Sequence, residues 1–500
     1  MKGCFILQRR FAYIGHRVAL SLKENYGVSE FCAYAFLRSS YDFLARQKDI
    51  AYSTLLFDDD IHKKYKNEKL DLDYLKYIER EFGIPNLWPY LTVDRILMHN
   101  QLIRDYPYNK SPFNYEQLLL IMQVYAKTII GMLEKEKPDF VFYSVAGSLG
   151  SLLLCQIAEK FNIKTLAVVP TGIKGRCVVS EAYDRYTGVE KIFNEGGAES
   201  FRSQAENYLA EFRQKPESYL SGISEELKRS GQSHQLKFLK PNHFWQSFKW
   251  FGQIIKLYLQ QRKFDDYSSN IRPWYYLVDR IKRKTRNLRG LDDFYDTFDP
   301  KEDFVFFPLH YEPEVSLSFQ APFYSDQIYV IRQIARSLPI HYKLYIKEHP
   351  SMVDYRPRSF YKELKKIHNV KIINPAVSSF SIIPHAKLVA VITGSIGWEA
   401  LMLKKPVISF GNQFYNALSM VKKCVEIEKL PYLVKEQLEN FVYKEEELIS
   451  FISAIFQDSA TVDLDHVWHS ERDPEKREKK LRPLVDLLAK KLGLSPNITS

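Results

Sequence analysis

The sequence predicts an α/β protein of two parallel-sheet domains interrupted by a basic helical insert. Three observations carry this. Strand-like and helix-like stretches alternate from residue 3 to about 195. The rhythm breaks between about 214 and 300, where positive charge accumulates, and it resumes at Asp303. Alternation of this kind lays helices over both faces of a parallel sheet.

In chain order, residues 3–8 and 50–57 read as strands and 114–136 as a helix by apolar spacing. Residues 140–143 form a buried strand, 150–161 a helix, 165–169 a strand and 199–213 a helix that follows the Gly196-Gly197 break. In the second block, 304–308, 343–348, 370–373, 388–392 and 406–410 read as strands, with helices at 325–337 and 397–403. Residues 475–492 read as a charged amphipathic helix. The expected division is 1–215 for the first domain, 216–300 for the insert, 301–460 for the second domain and 461–500 for a terminal helix and tail.

The 500 residues are 45% hydrophobic, enough for large cores. Five scattered cysteines, with no CxxC pair, exclude a disulfide framework or zinc site by pattern and point to a reducing compartment. The apolar run at the start is too short for a signal-peptide core. The weakly polar stretch 140–155 falls short of the ~20 apolar residues of a membrane span. The expectation is a cytoplasmic protein, peripheral at the membrane if attached at all. Of the net charge of +11, residues 228–289 carry 15 Lys/Arg against 3 Asp/Glu, so the basicity belongs to one segment.

Three segments could carry chemistry. In 391–411, a strand runs through Gly394 and Gly397 into a short helix. Those glycines let backbone approach a ligand, Ser395 adds a hydroxyl, and the helix start favours an anion. Glu399 one turn on suits the hydroxyls of a ribose; the same segment also reads as an ordinary strand-to-helix turn whose acid faces the dipole. In 343–350 a strand ends in Lys347, Glu348, His349 and Pro350, with Lys347 and His349 on one face. In 306–314, His310, Glu312 and Glu314 cluster after another strand, a pattern that surface-loop polarity also produces.

FPLHYEPE (307–314), YIKEHP (345–350) and TGSIGWEALMLKKPVISFG (393–411) together resemble the bacterial capsular polysaccharide biosynthesis proteins, which include capsule Kdo transferases of the GT-B class. YIEREFGIPNLWPYLTVDR (77–95) and PDFVFYSVAGSLGSLLL (138–154) are similar to family segments more loosely. The resemblance implies a GT-B-like fold and transfer of a sugar from a nucleotide-activated donor, CMP-Kdo among the candidates, to a glycan or glycolipid acceptor. It implies that His349, Pro350, Thr393, Gly394, Ser395 and Gly397 meet the donor phosphate and that Glu399 reads the ribose. Lys347 and His349 would stabilise the leaving phosphate. Glu312 is a further candidate catalytic residue and His310 a candidate donor-binding residue, and Asp94 is the candidate acceptor-activating carboxylate. It implies no cofactor and no metal, so Asp58-Asp59-Asp60 reads as a solvated turn. Rival readings are a nucleotide-sugar epimerase, a polyol-phosphate transferase and an inactive assembly protein.

Within the insert, Phe244, Phe248, Phe251, Ile255 and Tyr258 share a helical face, with Lys249, Lys256, Arg262 and Lys263 elsewhere. A basic amphipathic helix suits an anionic membrane surface or an acidic polymer, the reading the localised charge favours; the alternative is that it packs its apolar face on the core. Nucleic acid is not expected, since no binding motif accompanies the charge.

Overall fold

Both predicted sheets form, and both are wound in the same order. The computed structural model describes residues 1–82, 86–100, 110–218, 241–268, 273–312, 314–469, 471 and 473–497. The strands are β1 (Lys2–Gln8), β2 (Glu30–Phe36), β3 (Tyr52–Phe57), β4 (Phe140–Tyr143), β5 (Lys164–Pro170), β6 (Arg176–Ser180), β7 (Phe304–Pro308), β8 (Lys343–Lys347), β9 (Val370–Ile373), β10 (Leu388–Val391), β11 (Val407–Ser409), β12 (Val421–Lys423) and β13 (Ser459–Thr461). The first sheet runs β13-β6-β5-β4-β1-β2-β3, parallel from β3 through β5, with β6 antiparallel to β5 and β13 antiparallel to β6. The second runs β12-β11-β10-β7-β8-β9 and is parallel throughout. Each starts in its middle, at β1 or β7, winds outward to one edge and then restarts beside its first strand. That is the doubly wound, Rossmann-type arrangement of the GT-B-like class.

The inner strands are apolar on both faces, as Cys4 to Leu7 and Phe304 to Phe307 show, because helices cover both sides. β2 escaped prediction: its EFCAYAF run has no polar alternation, although Gly27, in the left-handed region at φ 70°, ends the preceding helix Phe11–Tyr26. The helix Tyr115–Glu136 is long and apolar enough to cross a membrane, yet its Ile121, Met122, Tyr125 and Ile129 lie in the core beside β1 and β4.

Two connections depart from the expected division. Val189, Ala205, Leu209 and Phe212, placed by sequence in the first domain, bury their side chains in the core of the second. The chain end does the reverse: β13 joins the first sheet, and helix Pro474–Lys491 packs on helix Phe11–Tyr26 through Leu484, Val485 and Leu488. The two domains are thus laced together by crossing chain segments.

The insert contributes helices Pro241–Arg262 and Pro273–Arg289, which lie side by side, with Tyr258 against Trp274 and the Arg280 guanidinium over Trp250. Residues 228–240 and 269–272, and the side chain of Phe244, fall outside the described residues. The connection after the first helix is tied to the first domain. Asp266 pairs with Arg38 and Lys63, and Tyr267 stacks on His62 at 3.9 Å.

That tie corrects the reading of Asp58-Asp59-Asp60. Asp58 and Asp59 are buried at the start of helix Asp58–Lys63; only Asp60 faces solvent. Asp58 accepts from the Tyr34 and Tyr267 hydroxyls, and Asp59 from the Ser268 amide and hydroxyl. The partners lie far away in sequence, so the run itself could not reveal them. Burial, with Asp59 adding like charge, pushes the Asp58 carboxyl up to about 8. A carboxyl raised above its unfolded value of 3.8 holds its proton longer in the folded chain, so stability is lost as pH rises through that window. Asp58→Asn is expected to flatten the fall in urea midpoint between about pH 4 and 8; an unchanged slope would remove Asp58 as its source.

Candidate active site

Ligands of open α/β sheets gather at the carboxyl ends of the strands, in the crevice where the winding direction reverses. In the second sheet that crevice lies between β7 and β10, with β8 on the far side of β7. The loops after these three strands are the three predicted segments, and the structure brings them together. The Thr393 amide donates to His310 Nε2 at 3.1 Å, the Leu309 amide donates to the Lys347 carbonyl at 2.8 Å, and the Tyr311 and His349 rings meet edge-on at 5.7 Å.

Arg356, which motif reading missed, ties the loops from within. It is fully buried. Its guanidinium pairs with Glu348 and Glu312 and donates to the His310 carbonyl at 2.8 Å. Tyr361 adds a hydroxyl to Glu348, and Gln327 reaches both Glu312 and the His310 amide. Two proposed ligand-facing residues are therefore reassigned. Glu312 is buried and locked between Arg356 and Gln327, because a buried guanidinium needs more than one acceptor. His310 is buried as well. Burial, with His349 and Arg356 nearby, pushes its pKa down to about 3, so the ring is neutral and its Nε2 is occupied by Thr393. Both are struts that hold the loops in register.

Beyond β10 the chain turns through Thr393 and Gly394 into helix Ser395–Met402, and no side chain caps its start. Among the described residues, the buried Thr393 hydroxyl has no hydrogen-bond partner. A Cβ on Gly394 would stand 3.1 Å from His310 Nε2, a tight contact, so the close approach of the turn to the strut favours glycine there. Gly397 lets the Tyr415 hydroxyl in to hold the Gly394 carbonyl at 2.7 Å. The turn thus presents uncapped amides and a hydroxyl, a ready anion site. Glu399 is buried behind it with one carboxylate oxygen unpartnered. Burial raises its pKa to about 7, with the nearby Ser218 hydroxyl and the charge of Lys347 opposing. Lys347, buried and bonded to Ser379 Oγ at 3.0 Å, is lowered to about 8 by burial, with Glu399 and Glu348 opposing.

His349 is half-buried ahead of Pro350, and its Nδ1 accepts the Ser351 amide at 3.2 Å. In the neutral ring the proton then sits on Nε2, which makes that nitrogen a donor.

The first sheet has an equivalent reversal between β1 and β4, but its helix start is filled. Ser148 and Ser151 form a reciprocal cap on helix Leu149–Lys160, and Asp94 Oδ2 accepts the Leu149 amide at 3.0 Å. Asp94 Oδ1 accepts the Ile96 and Leu97 amides. Asp94 therefore caps two helices with both oxygens, which takes it out of the expected role of base. Arg9, missed by sequence reading, lies just past β1 in the left-handed region at φ 50°; burial of its guanidinium lowers its pKa, with Tyr311 opposing. The domains also meet directly. Trp398 Nε1 donates to the Gly172 carbonyl at 3.1 Å, and Tyr186 stacks on Phe414 at 4.5 Å. Among the described residues, no group of three or more His, Cys, Asp or Glu is placed to hold a metal ion.

Residues 231–423, which include all three loops, match the family described as "Capsule polysaccharide biosynthesis protein". This stretch belongs to the capsule polysaccharide biosynthesis family. Among solved structures, this chain is similar to Thermosulfurimonas dismutans KpsC, a beta Kdo 2,7 transferase, at 15% identity and TM-score 0.35, covering 72% of this chain and 90% of that one. The KpsC beta Kdo 2,4 transferase from the same organism gives 15% and 0.31, covering 64% and 80%. A Neisseria meningitidis UDP-GlcNAc 2-epimerase gives 11% and 0.24, covering 91% and 98%. Likenesses of this size bear on neither substrate nor reaction. No curated protein matches the chain.

Proposed function

We propose that this protein is a glycosyltransferase that moves a sugar from a nucleotide-activated donor to a capsular or other cell-surface glycan acceptor. The observation that carries the reading is the uncapped start of helix Ser395–Met402 at the β7/β10 crevice, with the His349 donor on the adjoining loop. Uncapped helix amides and the Thr393 hydroxyl hold a phosphate; Lys347 puts fixed positive charge behind them. As the acceptor hydroxyl attacks the anomeric carbon, the bond to the nucleotide breaks and negative charge grows on the leaving phosphate. Donors already aimed at that position stabilise it most. In this reading the phosphate is met by amides and side chains rather than by a metal ion. The donor class favoured by the motif resemblance is a CMP-linked acidic sugar such as Kdo.

Incubating the purified chain with CMP-, UDP-, GDP- and CDP-activated sugars and a glycan acceptor should give one transferred product by mass spectrometry. Interconversion of the donor sugar without acceptor would instead establish an epimerase. Glu399 is proposed to accept from the nucleotide's ribose. Glu399→Ala is expected to weaken the free nucleotide by about 1.5–3 kcal/mol in calorimetry. Unchanged affinity in a folded variant would remove the ribose contact.

A further inference from the structure

Helix Pro273–Arg289 is amphipathic in the reverse sense for a soluble protein. Its charged side faces the protein: Asp279 is buried, Arg283 pairs with it at 2.8 Å and donates to the Tyr355 hydroxyl at 2.9 Å, and Arg286 donates to the Tyr355 carbonyl. Its apolar side faces out. Trp274, Leu277, Val278, Ile281 and Leu288, at helical spacings of three, four and seven, are all exposed, Ile281 by 55% and Leu288 by 59%. The neighbouring helix Pro241–Arg262 also turns apolar side chains outward. Trp250, Ser247 and Tyr258 touch the second helix, while Trp245, Phe248, Ile255 and Leu259 form an outward stripe, Trp245 and Phe248 each 68% exposed. Of the face expected from sequence, Phe248 and Ile255 belong to this stripe; Phe251 and Tyr258 are half-buried.

Charge decides what covers this surface. The two helices hold nine Lys/Arg and one acid, Asp279, which is turned inward. Lys249, Lys256, Lys282 and Arg289 are exposed at the margins of the stripes. A second copy of the chain would oppose like charge to like. A core partner would not be ringed by cations. Exposed tryptophans and aliphatic side chains bordered by lysines match an interface between headgroups and acyl chains. We infer that helices Pro241–Arg262 and Pro273–Arg289 dock the protein flat on an anionic lipid bilayer, apolar stripes in the headgroup boundary and basic margins on the lipid charge. The inference does not depend on the reaction proposed above. It is consistent with the anchoring, since Asp266 fastens the hairpin to the first domain and Arg283 and Arg286 fasten it to the second.

The experiment is flotation of the full chain with phosphatidylglycerol/phosphatidylcholine vesicles and with phosphatidylcholine alone, at low and high salt. The wild type should bind the anionic vesicles at least about tenfold better, with salt weakening it, and tryptophan emission should shift to the blue. Leu277→Glu with Ile281→Glu, and separately Lys249→Glu with Lys256→Glu, should each lower binding about tenfold or more, in variants whose melting is unchanged. No binding of the wild type to anionic vesicles at low salt overturns the inference and needs no variant. Binding that survives the Leu277/Ile281 change overturns it in favour of a polyanion held by charge alone. Concentration-dependent dimerisation abolished by that change, without vesicle binding, assigns the face to a second copy.

Discussion

His349→Ala is expected to lower kcat by about 10²–10⁴-fold, the usual contribution of a positioned proton or charge-assisted donor. The reason is the local geometry. Nδ1 is held by the Ser351 amide, so the ring presents Nε2–H, and the loop bearing it adjoins the uncapped turn after β10. A donor that acts on charge developed in the transition state changes kcat more than substrate affinity. His349→Asn separates this from a structural role. Its side-chain carbonyl can accept the Ser351 amide in place of Nδ1 and keep the loop, but its amide cannot supply a proton. Near-wild-type turnover in His349→Asn, with unchanged melting, would mean that the ring only caps the loop.

Arg356→Met should cost about 3–5 kcal/mol of stability, the loss typical of removing one partner from a buried ionic network. Arg356 is fully buried between Glu348 and Glu312 and also holds the His310 carbonyl. Methionine fills part of the volume and leaves two carboxyls facing each other without a cation. The deficit should shrink as pH falls, because protonation relieves the repulsion. Burial already favours the protonated form of Glu312. Urea unfolding followed at pH 5 and pH 8 checks both statements. A deficit under about 1 kcal/mol at pH 8 would show that the loops hold without the clamp. Because His310 positions Thr393, the variant should also weaken nucleotide binding even where it remains folded.

The strands that carry the site were legible in the sequence for a local reason. β1, β4, β7, β8 and β10 are apolar runs, four of them closed by Gly, Pro or polar residues, and a buried parallel strand can be little else. The three loop segments were legible because each follows such a strand, and the order of the chain alone puts them in one domain. The basic amphipathic character of 241–289 is likewise a matter of composition and spacing.

What the sequence could not contain is which residues meet. That the strands order as β12-β11-β10-β7-β8-β9 makes the loops after β7 and β10 neighbours, and this depends on pairings between segments some 80 residues apart. His310 and His349 look alike as strand-end histidines. Only the arrival of Arg356 and Gln327 from elsewhere turns the first into a buried neutral strut and leaves the second at the crevice. Asp58 and Asp59 read as solvent-facing until Tyr34, Tyr267 and Ser268 close over them. For helix Pro273–Arg289, spacing sets which residues share a side, but not which side packs. Tyr355, Asp354 and the buried Asp279 draw its arginines inward and so leave its apolar stripe outside. Periodicity is a property of one segment. Burial is a property of whatever the rest of the chain brings to it.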